Sequence, residues 1–503
     1  MSSDRPRARK CGVGVEDVTR FGAVVLLVSV AALVALTGNR ISRVVRVPAP
    51  ALFLVAAALV SDVWPGLGRL SAELDSRIVT VALAIILFDG GMGLGWRRLR
   101  PALTPVLWLG VAGTVVTAAG LAFAAHALFG FPWRSSLLLG TALAPTDPAV
   151  VFSVLAGREL AGRSGTILEG ESGANDPVGI ALLVSVLGAT GADAGAVWDG
   201  LVQFGLQMVI GVAVGLAAGF GLRWTVQHIA LPSEQLYPIR VLAGAIATYG
   251  LATVAHGSGF LAVLLAGVLL GDVEAPFQVE VERFTSALAS LGEIVAFTVL
   301  GLSIPLVALV TSPELPIGLA IAALLIVVVR PLLVGVLLLP IRLQRSERIF
   351  VLWAGLKGAV PILLGLFILE SSEPDAEQLY RIIFVVVLVS VVVQGGSVPT
   401  AARLLRLPMR ETDPPHPYAT GLRLLHAPQG LYRYTVVPDS PAAGAHVADL
   451  GLGDRVWLSL ARRDGELLPL RQDTTLNVGD HLLVQADSSA DLDALFKPPE
   501  ARS

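Results

Sequence analysis

The chain is short of cysteine and of charge. Its 503 residues include one cysteine, Cys11. A lone thiol forms no internal disulfide and no thiolate metal cluster, so a disulfide scaffold and a cysteine-built metal centre are excluded. Charged residues make up 15% of the chain, against roughly 25% in a typical soluble protein. Hydrophobic residues make up 54%, and the mean hydropathy is +0.74. A large soluble enzyme does not fit this balance. The net charge of -3 offers no bulk basic surface, so no nucleic-acid partner is expected. The sequence shows no phosphate loop and no metal cluster, and no cofactor is expected. It also lacks an evident secretory signal. The basic N-terminus leads into Phe21–Gly38 with no small-residue cleavage site after it, so that stretch is expected to stay as a first membrane span.

What is present is a series of apolar runs, each near the roughly 20 residues needed to cross a bilayer. They lie near 21–38, 49–61, 77–94, 103–129, 135–156, 164–189, 199–228, 239–256, 258–271, 284–310, 315–339, 348–369 and 379–402. The expectation is an all-α polytopic membrane protein with about 13 spans. Arginines crowd the loops after odd-numbered spans, among them Arg40, Arg43, Arg46, Arg97, Arg98, Arg100, Arg342, Arg345 and Arg348. Loops after even-numbered spans hold few, such as Arg69, Arg77, Arg134 and Arg381. Basic loops stay in the cytoplasm. This places the C-terminus inside the cell and the N-terminus outside, in a multi-pass inner-membrane protein. The basic tail Arg5, Arg7, Arg9 and Lys10 argues the other way.

The composition turns ordinary and soluble after Met409. Asp413-Pro414-Pro415-His416-Pro417 reads as a linker. Strands are expected at Tyr432–Val437, Asp454–Ala461 and His481–Ala486, with a turn at Asn477-Val478-Gly479-Asp480 before the last. Short helices are expected at Ala442–Leu450 and Ala490–Phe496. The resulting scheme is a tail over 1–20, a membrane domain over 21–405, a linker over 406–428, a small α+β cytoplasmic domain over 429–497 and a tail over 498–503.

Three motifs interrupt the apolar runs. The sixth span carries Glu171-Ser172-Gly173-Ala174-Asn175-Asp176-Pro177. A charge at bilayer depth costs at least about 3 kcal/mol and marks a functional position. Glu171 and Asp176 are five residues apart, which puts them roughly 140° apart around a helix. Two roles follow. Asp176 with Asn175 offers oxygen ligands for a hard monovalent cation. Desolvation favours the neutral form of a carboxyl group, so at such a site a proton competes with the cation. Glu171 needs a counter-charge, and Arg330 in the eleventh span is the candidate, unless that arginine sits at a helix end.

The fifth span holds Ala144-Pro145-Thr146-Asp147-Pro148-Ala149 and the twelfth holds Gly355-Leu356-Lys357-Gly358-Ala359-Val360-Pro361. Two prolines around an acid disfavour a continuous helix. Broken helices at matching places in two halves point to inverted repeats and to an ion site between them. Lys357 then balances the facing helix ends and Asp147; the alternative is that it snorkels to the cytoplasmic face. Asp89, in Leu87-Phe88-Asp89-Gly90-Gly91, either lines the route to the site or sits at the membrane edge. Glu293 is comparable.

These motifs, with Arg330 and the Leu-Phe-Asp-Gly-Gly run, resemble the monovalent cation:proton antiporters of the NhaP type over residues 20–405. Leu467-Leu468-Pro469 and Gly479-Asp480 resemble a TrkA-C domain, and the combination resembles the potassium/proton subgroup linked to cell-volume regulation. The resemblance implies alternating-access exchange of K+ or Na+ for H+, no enzymatic activity, and a homodimer in which a core domain moves against a dimerisation domain. It implies that Asp176 carries the ion or proton, with Thr146, Asp147, Ser172 and Asn175 shaping the site and Glu171–Arg330 as a structural pair. Asn175, where a related branch has a second Asp, implies one-for-one electroneutral exchange. Lys357 stands where relatives often have Arg; it keeps the charge without the planar fork. The C-terminal domain implies regulation and a small-molecule or nucleotide ligand. Competing readings are a Na+/H+ antiporter without K+ preference and a ligand-gated cation channel. An intramembrane enzyme lacks a nucleophile–base pair here.

Overall fold

Backbone N–H and C=O groups find no water in a hydrocarbon layer, so crossing segments must close their hydrogen bonds internally, as helices do. The computed structural model describes residues 48–63, 72–147, 151, 158–160, 163–189, 194–273, 277–407, 409–411, 431–452, 457–463, 466–485 and 490–496. The expected first span at 21–38, Pro148, Ala149, most of the linker and both tails lie outside them. The chain divides into two units, Met1–Thr412 and Asp413–Ser503.

The first unit is helical. Its helices are α1 (Ala49–Val63), α2 (Ala72–Leu99), α3 (Thr114–Phe129), α4 (Trp133–Leu143), α5 (Arg163–Gly188), α6 (Ala194–His228), α7 (Leu236–Val254) and α8 (Gly259–Gly271). They continue with α9 (Gln278–Leu302), α10 (Glu314–Leu324), α11 (Arg345–Trp353), α12 (Ala359–Glu370), α13 (Ala376–Val389) and α14 (Gly396–Leu404). Among the described residues, five helical stretches are long and apolar enough to cross a membrane: Ala72–Phe129, Trp198–His228, Gln278–Leu302, Glu314–Leu337 and Ala376–Leu404. α1, α8 and α12 are apolar but shorter. The run expected over 284–310 is divided. α9 stops at Leu302 and a separate short helix spans Leu306–Val310, since Pro305 has no N–H with which to continue the ladder.

Among the described residues, three π-helical segments, Trp108–Gly113, Leu325–Val334 and Ser390–Gly395, interrupt the α-helical ladder. Such turns concentrate at functional sites. The second contains Arg330 and Pro331, and the third contains Ser390 and Gln394.

Lipid gives helices no hydrophobic reason to associate, so close packing has to hold them. α2 and α8 approach backbone to backbone. A Cβ at Gly91 would strike the Leu264 carbonyl, and a Cβ at Gly267 or Gly271 would strike the carbonyl of Phe88 or Met92. A small two-stranded antiparallel sheet joins β1 (Arg158–Leu160), just before α5, to β2 (Met409–Glu411), just after α14.

The second unit is a four-stranded antiparallel sheet in the order β3 (Leu431–Thr435), β6 (His481–Gln485), β4 (Trp457–Arg463) and β5 (Glu466–Leu468). A short helix, α15 (Ala490–Phe496), packs on it, with Val436, Ala461, Leu476, Val484, Leu492 and Phe496 in the core. β5 is not among the strands expected from the sequence: it is a three-residue edge strand paired antiparallel with β4. Ala442–Leu450 is not the expected helix but a set of turns ending in a 3-10 turn at Val447–Leu450. Gly444 has a positive φ of 80°. Gly444 N–H donates to the Leu476 carbonyl at 2.7 Å and Val447 N–H to Thr474 at 2.9 Å, so these donors bond across the domain rather than along a helix.

Asp480 is buried and accepts from Arg463 Nε and Nη2, both at 2.8 Å, and from the Asn477 amide at 2.8 Å. The Arg463 guanidinium holds the Asp480 carboxyl below the usual carboxylate range. A group whose folded value is depressed stabilises the fold above its unfolded value, and that stability is lost as pH falls through the folded one. Hydrogen exchange at Trp457–Arg463, corrected for intrinsic rate, should therefore speed up on acidification below the ordinary carboxylate range. Asp480→Asn should show faster exchange already at neutral pH and a weaker acid response.

Candidate functional site

Two breaks cross inside the helical unit. α4 ends at Leu143, and Pro145, Thr146 and Asp147 are non-helical. α11 ends at Trp353, and Gly355–Gly358 is non-helical up to the start of α12. The two stretches are joined where Asp147 N–H donates to the Leu356 carbonyl at 2.8 Å. Each break leaves helix ends with partial charge. Lys357 Nζ donates to the Ala144 and Pro145 carbonyls, both at 2.9 Å, which neutralises the C-terminal end of α4. The Asp147 carboxyl lies against Gly358 at the N-terminal end of α12, where any Cβ would overlap it. A cation thus meets the negative helix end and an acid the positive one. Lys357 is 2% exposed, so it does not snorkel to a membrane face.

α5 supplies the next layer. Ser172 Oγ donates to the Thr146 carbonyl at 2.5 Å. Asn175 Nδ2 donates to Thr146 Oγ1 at 2.7 Å, and Thr146 N–H donates back to Asn175 Oδ1 at 3.2 Å. Both ends of the Asn175 amide are therefore engaged by Thr146, so it clamps the break to α5 besides offering its remaining lone pair. Asp176 is 6% exposed, and its Oδ1 has no hydrogen-bond partner among the described residues. It lies within electrostatic reach of Asp147 and Lys357.

Glu171 faces another way. Its Oε1 accepts from Arg330 Nη2 at 3.0 Å, with both side chains 4% exposed. Arg330 does more than pair. Its Nε donates to the Leu352 carbonyl at 3.0 Å and its Nη2 to Val351 at 3.3 Å, at the end of α11. Gly355 is required here, because a Cβ would overlap the guanidinium. Sequence reasoning missed Ser390 and Gln394. Ser390 Oγ accepts from the Lys357 amide at 2.9 Å and donates to Gln394 Oε1 at 2.6 Å, and Gln394 Nε2 donates to the Trp353 carbonyl at 3.1 Å. The signal available was a serine and a glutamine in an otherwise apolar span.

Thr146, Asp147, Ser172, Asn175, Asp176 and Lys357 are thus brought together, with Glu171 and Arg330 beside them. Asp89 is elsewhere: on α2, half-buried, accepting from Ser286 Oγ of α9 at 2.8 Å. The cluster presents a buried unpaired carboxylate oxygen among hydroxyl and carbonyl oxygens, chemistry suited to a hard cation or a proton.

The family model described as sodium/hydrogen exchanger, transmembrane, matches residues 28–404, and the TrkA-C domain model matches residues 431–497. The chain is 34% identical to the K(+)/H(+) antiporter NhaP of Alkalimonas amylolytica, over 92% of this chain and 80% of that protein. It is 33% identical to the K(+)/H(+) antiporter NhaP2 of Shewanella sp. strain MR-4, over 97% and 85%. It is 27% identical to the Na(+)/H(+) antiporter ApNhaP of Aphanothece halophytica, over 79% and 77%. The solved sodium proton antiporter MjNhaP1 of Methanocaldococcus jannaschii superposes with a TM-score of 0.64 at 22% identity, covering 75% of this chain and 99% of that one. The fold of the helical unit is therefore NhaP-like.

Arg330 and Glu171 should respond unequally to removal. Glu171→Gln leaves Arg330 with the Leu352 and Val351 carbonyls. Arg330→Met leaves Glu171 unpaired and strips donors from the end of α11. Breaking a buried pair from one side costs about 3–5 kcal/mol, and the arginine variant should lie at or above that range with the glutamine variant below it. Thermal unfolding in detergent checks the order; equal losses contradict it. A swapped pair would set a carboxylate against carbonyl oxygens, so it should recover little.

Proposed function

This chain belongs to the sodium/hydrogen exchanger family, and from that premise we propose that Asp176 is the carboxylate at which cation and proton replace each other. The protein is a membrane-embedded cation:proton antiporter, not an enzyme. The observation that carries the assignment is the buried, unpaired Oδ1 of Asp176 beside two crossed helix breaks. Thr146, Asp147, Ser172 and Asn175 shape the site, Lys357 and Asp147 hold the breaks, and Glu171–Arg330 is structural.

One carboxylate loaded with either a cation or a proton carries the same net charge. Exchange is then one for one and electroneutral. Moving the empty charged site through a low-dielectric barrier is costly, which makes exchange obligatory rather than leaky. K+ is the favoured cation, since the relatives named for K(+)/H(+) exchange are 33% and 34% identical and the Na(+)/H(+) one 27%. Na+ remains a competing substrate.

The same reading extends to the architecture. We assign about 13 spans over 21–405, with inverted repeats that place the α4 and α11–α12 breaks in equivalent positions. The N-terminus is outside and the C-terminal domain, over 429–497, is cytoplasmic, in keeping with the arginine-rich loops. The protein works as a homodimer in pH, cation or cell-volume homeostasis. The C-terminal domain regulates, through a small-molecule or nucleotide ligand. Support for regulation comes from β2, which pairs with β1 in the connection between the Thr146 break and α5 and lies immediately before the second unit.

Two measurements test this. In vesicles carrying a pH dye, K+ should drive proton flux in the native chain and Asp176→Asn should abolish it; normal exchange by that variant contradicts the assignment. Truncation after Thr412 should keep exchange and shift its pH set point. Complete loss of exchange would give the C-terminal domain a direct part in transport.

A further inference from the structure

We propose that Glu293 is an ion-relay residue, taking up the cation on its way to Asp176. The proposal rests on the reading of Asp176 given above. Four carboxylates have a buried oxygen with no hydrogen-bond partner among the described residues: Glu171, Asp176, Glu293 and Glu314. Two of them are paired, Glu171 with Arg330 and Glu314 with Arg381 at 3.7 Å. Among the described residues, Asp176 and Glu293 have no ion pair. An uncompensated carboxylate at membrane depth weakens the fold and adds nothing to packing, so its presence points to traffic of charge.

Its position supports this. Glu293 lies on α9, which packs against α1 and α2, while Asp147 and Asp176 belong to the crossing formed by α4, α5, α11 and α12. Glu293 nonetheless lies within electrostatic reach of Asp147. α9 also packs against α12, so Glu293 lies on a helix that borders the crossing without carrying it. Ser286, Ser290 and Glu293 stand at i, i+4 and i+7 on α9, on one helical face. The stripe rises about 10 Å from Ser286 to Glu293. Asp89 flanks its far end through the Ser286 hydroxyl at 2.8 Å. Two hydroxyls and two carboxylates thus lead in steps along the middle of α9.

In the exchange, the Glu293 carboxylic acid gives its proton to water at the stripe and binds the cation with the resulting carboxylate. The cation then passes on to Asp176, and Glu293 takes up a proton again. An O–H bond breaks and re-forms, and the charge on the residue is the same loaded with either ion.

The test uses the full chain in membrane vesicles with K+-driven proton flux as readout. Glu293→Gln should raise the half-saturating K+ concentration about fivefold or more with the maximal rate within about twofold, and Glu293→Asp should stay near the native value, a split that a structural role would not give. An unchanged half-saturation in Glu293→Gln overturns the relay while exchange in the native chain and its loss in Asp176→Asn leave the Asp176 reading intact. Exchange retained by Asp176→Asn overturns both. Should Glu293→Gln fail to insert, Glu293→Cys in a Cys11→Ser chain gives a second reading. A cationic methanethiosulfonate reagent should label it, more slowly in K+. Labelling that K+ does not slow, or none at all, overturns the proposal.

Discussion

Everything around the site depends on one constraint: two helices are broken where no water can satisfy their ends. Free carbonyls and amides at membrane depth must find partners inside the protein. The crossing provides them reciprocally. Lys357 takes the carbonyl end of α4, Asp147 sits at the amide end of α12, and the Asp147–Leu356 backbone bond ties one break to the other. Gly358 leaves room for the acid at this junction and Gly355 leaves room for Arg330. Ser390 and Gln394 then hold the Lys357 and Trp353 backbone from a π-helical turn of the neighbouring helix.

Once the helix ends are balanced, the remaining charges sort into two kinds. Glu171 is neutralised by Arg330, which also closes the end of α11 and so joins α5, α11 and a π-helical segment in one buried contact. Asp176, five residues further along α5, has one oxygen with no hydrogen-bond partner among the described residues. A fixed pair and a carboxylate with an open oxygen, on different faces of one helix, separate the task of holding the helix from the task of loading an ion.

The legible parts of the chain were those whose physics is local. Apolar length marked the helical runs, and the Pro145 break and the Gly355–Gly358 break were visible as proline and glycine inside apolar segments. The roughly 140° between Glu171 and Asp176 was enough to assign them different surroundings. What stayed hidden depends on contacts distant in sequence. Asn175 reads as an oxygen ligand, yet its amide is engaged at both ends by Thr146, 29 residues away. Ser390 and Gln394 look like minor polar residues until Lys357 is placed beside them. In the C-terminal domain Ala442–Leu450 has helical composition, but Gly444 and bonds to Thr474 and Leu476 hold it in turns. Asp89 has no local signal that separates a site ligand from a partner of Ser286.

The central claim is that one carboxylate is shared, so that a cation binds by displacing a proton. Titration calorimetry of the purified chain with K+, repeated in buffers of different ionisation enthalpy, counts the protons released on binding. The expected result is about one proton released per cation bound at pH well below the midpoint of the exchange site's titration, falling to about half at the midpoint, and loss of that release in Asp176→Asn. Saturable K+ binding with no proton released at any pH would contradict it.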